Sequence, residues 1–289
     1  GGNVSATDQS VETLVAVNIL NSVSGALDKT IRFFNQAIPE SSSHQDLTQL
    51  ISDLEAGKIK LLIIDDSNPV YALPPSMGFS NAIKNAFVVS LASQKSETSH
   101  LANLVLPALT AYESWGDAFP RSGVRSIQQP VMSTVNTFDA KAREDVLLSV
   151  AQNVNKKAFP GNSSYLDYLQ NIWKRIQREV GDKRKFDSFW ISVLENGGFF
   201  ENSKYKRVTL SRKVTSVKVN DPGLIGKDGL TLLPTTSLLI GDGSGANKPW
   251  LQEVPHPMSQ IVWDSWVEIN PDTARSEERR VGKECRSRW

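Results

Sequence analysis

Three short apolar runs constrain the fold of this chain most strongly. They cover Lys60–Asp65, Phe87–Leu91 and Leu104–Leu106. Apolar runs of this length are typical of strands buried on both faces of a parallel sheet. Helical patterns over 77–85 and near 97–102 separate them. This alternation of strands and helices predicts a doubly wound sheet, with right-handed crossovers that place the helices on its faces.

The rest of the chain predicts additions to this sheet. Residues 8–36 and 46–54 carry helical patterns, and residues 108–138 are rich in loops. Helices are expected within 139–155, 163–180 and 186–195, whereas residues 206–219 alternate as a strand does. The predicted fold class is therefore α/β, a mostly parallel doubly wound sheet with a helical insertion, followed by the start of a β-rich domain. The corresponding domains are 1–138 (α/β), 139–205 (helical) and 206–274 (β-rich and truncated).

The last 15 residues, 275–289, differ in character from the rest. They look like the in-frame translation of a sequencing-adapter oligonucleotide, so we expect a non-native tail; a native basic tail is the alternative. Without its six basic and three acidic residues, the chain has 26 basic and 28 acidic residues and a net charge of −2 instead of +1. Charge therefore gives no argument for a nucleic-acid partner.

Several kinds of site find little support in the sequence. The single cysteine, Cys285, lies in the tail, so residues 1–274 offer no disulfide, iron–sulfur ligand or thiolate nucleophile. The histidines His44, His100 and His256 lack metal-ligand spacing. Glu113 and Asp117 could form a carboxylate pair for acid–base catalysis, but no histidine lies near them in sequence. No apolar run approaches the roughly 18 residues of a membrane span, so no direct membrane insertion is expected.

Two polar loops are candidate binding segments because ligands of open α/β sheets lie beyond the carboxyl ends of the strands. The first loop contains Ser67, Asn68 and Pro69, and the second spans Ser93 to Thr98. An asparagine amide and the free N–H groups at the start of a helix could hold a phosphate or the edge of a base. An ordinary turn in the first loop and a helix cap in the second are the alternatives.

The closely spaced glycines Gly241, Gly243 and Gly245 are a weaker signal. A dinucleotide-binding fingerprint requires such glycines to follow a strand directly, which this pattern does not predict. A turn between strands is the favoured interpretation.

The order and spacing of these segments resemble the catalytic subunits of molybdopterin-dependent oxidoreductases of the dimethyl-sulfoxide-reductase superfamily, most of all the polysulfide-reductase branch. The likeness extends over about residues 1–274. Besides the strands and the two loops, it rests on the segments Glu113–Asp117, Gln128–Val131, Pro249–Glu253 and Trp263–Ile269. Asn103 departs from the family pattern, which commonly has an aspartate before the third strand, so a polar contact there is in doubt.

The resemblance implies a cofactor, molybdopterin guanine dinucleotide with molybdenum or tungsten, held at the strand ends. The implied cofactor-binding residues come from three loops, the first of which resembles a glycine-containing loop that opens the domain: Gly2 and Asn3 beside Gly1, then Ser67, Asn68 and Pro69, then Ser93, Glu97 and Thr98. The metal ligand and the cysteines of a 4Fe-4S cluster would belong to an N-terminal portion outside this chain. No catalytic or metal-ligating residue is therefore assigned, and the chain alone is expected to be an inactive internal fragment.

The resemblance also implies a cellular setting, in anaerobic respiration. An iron–sulfur electron-transfer subunit and a membrane quinone-reactive subunit are the expected partners, in the periplasm or at the outer face of the bacterial cytoplasmic membrane. The alternative within the same ancestry is a metal-free structural or electron-transfer subunit of a membrane-bound respiratory complex. An unrelated nucleotide-binding α/β protein is a third possibility, and the substrate stays open.

Overall fold

The computed structural model describes residues 10–34, 42–135, 138–155, 157, 159–202, 205–216, 237–241, 243, 245–264 and 266–276. Within these ranges the helices are α1 (Ser10–Val23), α2 (His44–Glu55), α3 (Pro69–Ala72), α4 (Phe79–Ala82), α5 (Glu97–Leu101), α6 (Arg143–Val154), α7 (Tyr165–Glu179), α8 (Phe186–Asn196), α9 (Pro249–Gln252) and α10 (Pro271–Ser276). Gly1, Gly2 and Asn3, and residues 277–289 of the tail, lie outside the described residues.

The three apolar runs form a parallel sheet, as the sequence predicts, but the predicted burial on both faces is wrong, since Leu61, Ile63 and Val105 are 55%, 45% and 42% exposed. Its strands are β1 (Leu61–Asp65), β2 (Phe87–Ala92) and β3 (Leu104–Pro107), in the order β1-β2-β3. In the register, Asp65 pairs with Leu91, and Leu91 pairs with Leu106. The carboxyl ends of β1 and β2 therefore lie side by side.

One face of this sheet packs on helices that come from both sides of β1 in sequence. The core there joins Leu54 of α2, Phe79 of α4 and Val88 of β2, all at most 5% exposed. Helix α2 reaches this core because its apolar residues recur at helical spacing and a Ser43–Asp46 capping box fixes its start. This packing holds the strands, and with them the loops at their carboxyl ends.

A second, antiparallel sheet was not predicted, since residues 108–138 were expected to be loops. It consists of β4 (Gly116–Arg121), β5 (Val124–Gln128) and β6 (Gly198–Phe200) in that order. The prediction failed because β4 contains glycine, proline and charged residues, which strands usually lack. Helices α7 and α8 pack on this sheet around Trp173 and Phe189, both fully buried.

The α/β class is confirmed by these two sheets and the helices around them, and the predicted helical stretch after residue 139 contains α6, α7 and α8. The strand predicted over 206–219 is wrong for residues 206–216, because Arg212–Ser216 forms a 3-10 helix, and residues 217–219 lie outside the described residues. A strand needs a neighbour to satisfy its backbone, and Lys206 pairs with Phe33 only through an isolated bridge. The domain limits at 138 and 205 stay predictions.

Candidate functional site

The loops after β1 and β2 meet at the carboxyl edge of the parallel sheet, and Asn68 joins them. Its Oδ1 accepts hydrogen bonds from the Thr98 backbone N–H at 3.1 Å and from Thr98 Oγ1 at 2.7 Å. Its Nδ2 donates to Glu97 Oε2 at 2.7 Å. Thr98 Oγ1 in turn accepts from the Val70 N–H at 3.1 Å. Thr98 is fully buried, so this network fixes the first loop on the start of α5.

Glu97 also contacts a segment far away in sequence. Asn247 Nδ2 donates to Glu97 Oε2 at 3.0 Å, 150 residues along the chain. The hydrogen bonds from Asn68 and Asn247 lower the pKa of Glu97, since they stabilise its charged form. The site therefore presents an ionised carboxylate at neutral pH.

The segment that carries Asn247 packs closely on the first loop through its glycines. A Cβ at Gly243, where φ is +87°, would lie 2.8 Å from Tyr71 Cε1 of α3. A Cβ at Gly245 would lie 2.6 Å from Leu251 Cδ2. The described residues here form turns, as predicted, but helix α9 and an isolated bridge flank them in place of the expected strands. Glycine is required most clearly at Gly243, where a positive φ and the ring of Tyr71 both disfavour a side chain.

Arg143, at the start of α6, anchors the end of β1. Its guanidinium lies 3.2 Å from Asp65 Oδ1 and 3.4 Å from Asp66 Oδ2. The other oxygen of Asp66 accepts from Ser93 Oγ at 3.1 Å. Asp66 itself has a φ of +41°, a left-handed conformation that turns the chain sharply out of the strand. The helical stretch after residue 139 thus stiffens the strand-end loops.

These loops enclose a cavity of about 180 Å³. Ser67, Asn68 and Ser93 line it, as the sequence analysis predicted for a binding site. Lys95 and Lys248 also line it, opposite the single acidic residue of the lining, Asp66. The lining therefore has a net positive charge, which favours an anionic ligand.

The remaining predicted site residues lie close by. Pro69 is the first residue of α3, where its missing N–H costs no hydrogen bond, and Thr98 lies beneath the loops. Sequence analysis missed Asp66, Lys95, Arg143, Asn247 and Lys248. Asp66 directly follows a predicted strand and Lys95 lies within the second candidate loop, so both had a usable signal, whereas Arg143, Asn247 and Lys248 reach the site only through tertiary packing.

Asn103, the departure from the family pattern, keeps a structural contact. Its Oδ1 accepts a hydrogen bond of 2.7 Å from the Val88 N–H of β2. An aspartate oxygen would accept the same bond, so the amide replaces the carboxylate here without leaving a backbone donor unpaired.

Glu113 and Asp117 do not line the strand-end cavity. Glu113 accepts hydrogen bonds from the backbone N–H groups of Thr110 and Val135, which lower its pKa and tie down a loop. Asp117 lies on β4, where burial raises its pKa. Among the residues that the structure describes, no cluster of three or more histidine, cysteine or acidic side chains is arranged to hold a metal ion.

No helix in the described part of the chain has the length and apolarity needed to cross a membrane. No known protein-family profile matches the sequence. Over 239 residues, or 80% of its length, the chain is 33% identical to a protein of Nitratidesulfovibrio vulgaris described as "Menaquinone reductase, molybdopterin-binding-like subunit". The chain spans only 32% of the length of that relative. By this comparison, the chain is similar to a third of a molybdopterin-binding-like subunit.

Proposed function

We propose that this chain supplies a dinucleotide-binding part of a molybdopterin-dependent oxidoreductase and holds one molybdopterin guanine dinucleotide at the loops after β1 and β2. One observation carries the proposal: Asn68 and Glu97 lock two strand-end loops around a positively charged cavity. That edge of a parallel sheet is where α/β proteins bind nucleotides. The similarity to a molybdopterin-binding-like subunit supports the same class of ligand.

The side chains of the site fit the chemical groups of such a ligand. A guanine base carries N–H donors, for which the ionised carboxylate of Glu97 is a suitable acceptor: Glu97 does not line the cavity itself, but it follows Ser96 of the lining and holds Asn68 and Asn247 there. A pyrophosphate carries negative charge, for which Lys95 and Lys248 are suitable partners. The hydroxyls of Ser67 and Ser93 can donate to phosphate or ribose oxygens.

The size of the cavity limits how much of the ligand it takes. Its volume of about 180 Å³ is below the roughly 300–1,000 Å³ of pockets that enclose a whole drug-sized ligand. We infer that it takes one end of the dinucleotide, and that the pterin end lies beyond it. In the bound state the metal and its pterin would supply the two-electron redox chemistry, while the residues of this chain bind and orient the nucleotide.

The second candidate function is a metal-free structural or electron-transfer subunit with the same fold. The description of the relative supports this second candidate, because that description reads "molybdopterin-binding-like" and names a subunit of a menaquinone reductase. Under either function, we propose an iron–sulfur electron-transfer subunit and a membrane quinone-reactive subunit as partners. A location at the outer face of the bacterial membrane and a 4Fe-4S cluster elsewhere in the full-length protein belong to the same proposal.

Nucleotide binding by the chain itself tests the site. We expect isothermal titration calorimetry to show that guanosine diphosphate binds more tightly than adenosine diphosphate. Glu97→Gln should weaken guanosine diphosphate binding about tenfold, because a charge-assisted hydrogen bond is worth roughly 1.5–3 kcal/mol. Glu195→Gln, at an exposed position of α8, is the matched control and should change nothing. Equal affinity for the two nucleotides, or no effect of Glu97→Gln, would contradict the proposed site.

Metal content separates the two candidate functions. The full-length protein would be produced in a host that makes the cofactor, and its molybdenum and tungsten would be measured per chain. About one metal ion per chain supports the oxidoreductase. A well-folded protein without either metal supports the metal-free subunit and rejects the redox enzyme.

A further inference from the structure

A groove of about 450 Å³ lies between the β4–β5 hairpin and helix α7. It shares no residue with the strand-end cavity. An inference about it therefore stands independently of the proposed function.

The floor of the groove is apolar and is formed by helix α7 and the β4–β5 hairpin. Ile172 and Ile176 lie one turn apart on α7, and Ile176 is only 4% exposed. Val124 of β5 and Phe119 of β4 complete the apolar lining from the hairpin side. An apolar body would be desolvated on this floor, which is the main source of affinity in most small-molecule sites.

Three arginines and one glutamate stand around this floor, which gives the groove an excess of positive charge. Arg125 forms an ion pair of 3.2 Å with Glu179, the single acidic residue of the lining. The guanidinium of Arg121 lies 4.5 Å above the ring of Phe34. Both contacts hold guanidinium groups at the rim. Since Glu179 is the single negative charge among the lining residues, the groove stays positively charged.

Arg175 is the third arginine and the one for which the described residues provide no polar partner. It is exposed on α7, next to Ile172 and Ile176 in the lining. Among the described residues, none forms a hydrogen bond or an ion pair with it. Its planar fork of N–H donors therefore remains available for a carboxylate or a phosphate.

We propose that this groove binds a small organic anion, with a carboxylate or phosphate group held by Arg175 and an apolar body packed on Ile172, Ile176 and Val124. The volume lies in the range of roughly 300–1,000 Å³ that is typical of small-molecule pockets. An extended acidic peptide fits less well, because it needs several unengaged cations along a track, and in this groove Arg125 is already paired with Glu179 and Arg121 lies over the ring of Phe34. The shared chemistry of the ligand is an anionic head on an apolar body.

Binding of three probes to the chain tests the assignment. Phenyl phosphate and benzoate combine the two features with different head groups, and phenol lacks the charge. We expect calorimetry or ligand-observed NMR to detect binding of phenyl phosphate or benzoate. The probe that binds more tightly identifies the preferred head group. Phenol should bind at least tenfold more weakly than that probe. Affinity should fall as salt rises, because an exposed ion pair is screened.

Substitutions on α7 localise the binding. Arg175→Ala should weaken it about tenfold, as expected for the loss of a charge-assisted bidentate contact, and Arg175→Lys should restore part of it. Arg178→Ala, one turn away on α7 and outside the groove, is the control and should leave the affinity unchanged. Circular dichroism would check that both alanine variants stay folded.

Three outcomes would overturn the proposal. The first is no binding of either anionic probe, and the second is equal weakening by Arg175→Ala and Arg178→Ala, which would mean a diffuse charge effect. The third is an Arg175-dependent affinity for hexaglutamate that exceeds the affinity for both small anions. That result would make the groove a docking surface for an acidic peptide.

Discussion

The side-chain amide of Asn68 donates a 2.7 Å hydrogen bond to Glu97 and so ties the loop after β1 to the loop after β2. The same amide accepts two hydrogen bonds from Thr98 through its carbonyl oxygen. An amide donates and accepts through two separate atoms, whereas a hydroxyl uses one oxygen for both roles and an ionised carboxylate can only accept. The closed shape of the strand-end cavity therefore depends on an amide at position 68.

Replacing this amide by a carboxylate should break the hydrogen bond between the two loops. In Asn68→Asp the donor to Glu97 is lost, and two negative charges face each other at a distance of one hydrogen bond. We expect a loss of roughly 1–2 kcal/mol of unfolding free energy at pH 7, measured by urea denaturation, since the pair is partly exposed. The loss should shrink as pH falls to about 4, where one of the two carboxyls gains a proton.

Asn81→Asp is the matched control for this change. Asn81 is exposed on α4 and accepts a hydrogen bond from Lys84, so a carboxylate there should be neutral or slightly stabilising. An equal loss of stability in the two variants would mean that the Asn68–Glu97 contact contributes nothing specific.

The hydroxyl of Thr98 should matter more than its methyl group. Thr98 is fully buried, and its Oγ1 donates to Asn68 and accepts from the Val70 N–H. Thr98→Val keeps the shape but leaves the Val70 donor unpaired, which costs about 1–3 kcal/mol. Thr98→Ser keeps both bonds and loses one methyl group, which costs about 1 kcal/mol. Thermal denaturation that ranks the serine variant below the valine variant would refute this order.

The sequence predicted the parallel sheet well because its signal is local. Each apolar run around Leu62, Val89 and Val105 is long enough for one strand and no longer, although the run does not tell how many faces of that strand are covered. The antiparallel sheet had no such signal. Its strand β6 consists of Gly198, Phe199 and Phe200, and it pairs with β5 across a long intervening segment that contains α6, α7 and α8. Pairing of that kind depends on tertiary packing, which a pattern along the chain does not encode.

In the candidate site, too, some residues have a local signal in the sequence and others depend on tertiary packing. Ser67, Asn68 and Ser93 were predictable because strand-end loops are the rule for ligand sites in open α/β sheets. Asn247 was not, because its segment reaches the site through the close approach of Gly243 to Tyr71. A glycine in the sequence can indicate that another residue packs closely on the backbone, but it does not show which residue that is.

Gly198 should be the most sensitive glycine of the antiparallel sheet. Its φ is +149°, and an added Cβ would overlap the Arg125 carbonyl oxygen and lie 2.9 Å from Ser126 Cα. Gly198→Ala should therefore lower the unfolding free energy by at least about 3 kcal/mol, because overpacking against a backbone adds to strain. Its neighbour Gly197 is the control: φ is +69° there, but an added Cβ meets nothing within 4 Å.

Urea denaturation of the two alanine variants separates the cost of steric overlap from the cost of a positive φ. Gly197→Ala should cost about 1–2 kcal/mol, the strain of a left-handed residue alone. Equal losses at the two positions would show that the β5–β6 contact tolerates a side chain, contrary to the packing seen here.

Asp117 should limit stability at neutral pH. It is half-buried on β4, and burial raises its pKa above the value of about 3.9 in the unfolded chain. The folded state therefore holds this proton more tightly, so stability falls as pH rises from the unfolded pKa to the folded pKa and is constant above it. Asp117→Asn removes the charge and should raise the melting temperature at pH 7 relative to the unsubstituted chain, with a smaller difference at pH 3.

Asp46 supplies a control of opposite sign. Hydrogen bonds from Ser43 lower its pKa in the capping box of α2, so its contribution is present above the unfolded pKa and lost as pH falls through the folded one. Asp46→Asn should therefore lower the melting temperature at pH 7 and have less effect at pH 3. If Asp117→Asn lowers the melting temperature at pH 7, as Asp46→Asn should, burial does not destabilise the charged form of Asp117.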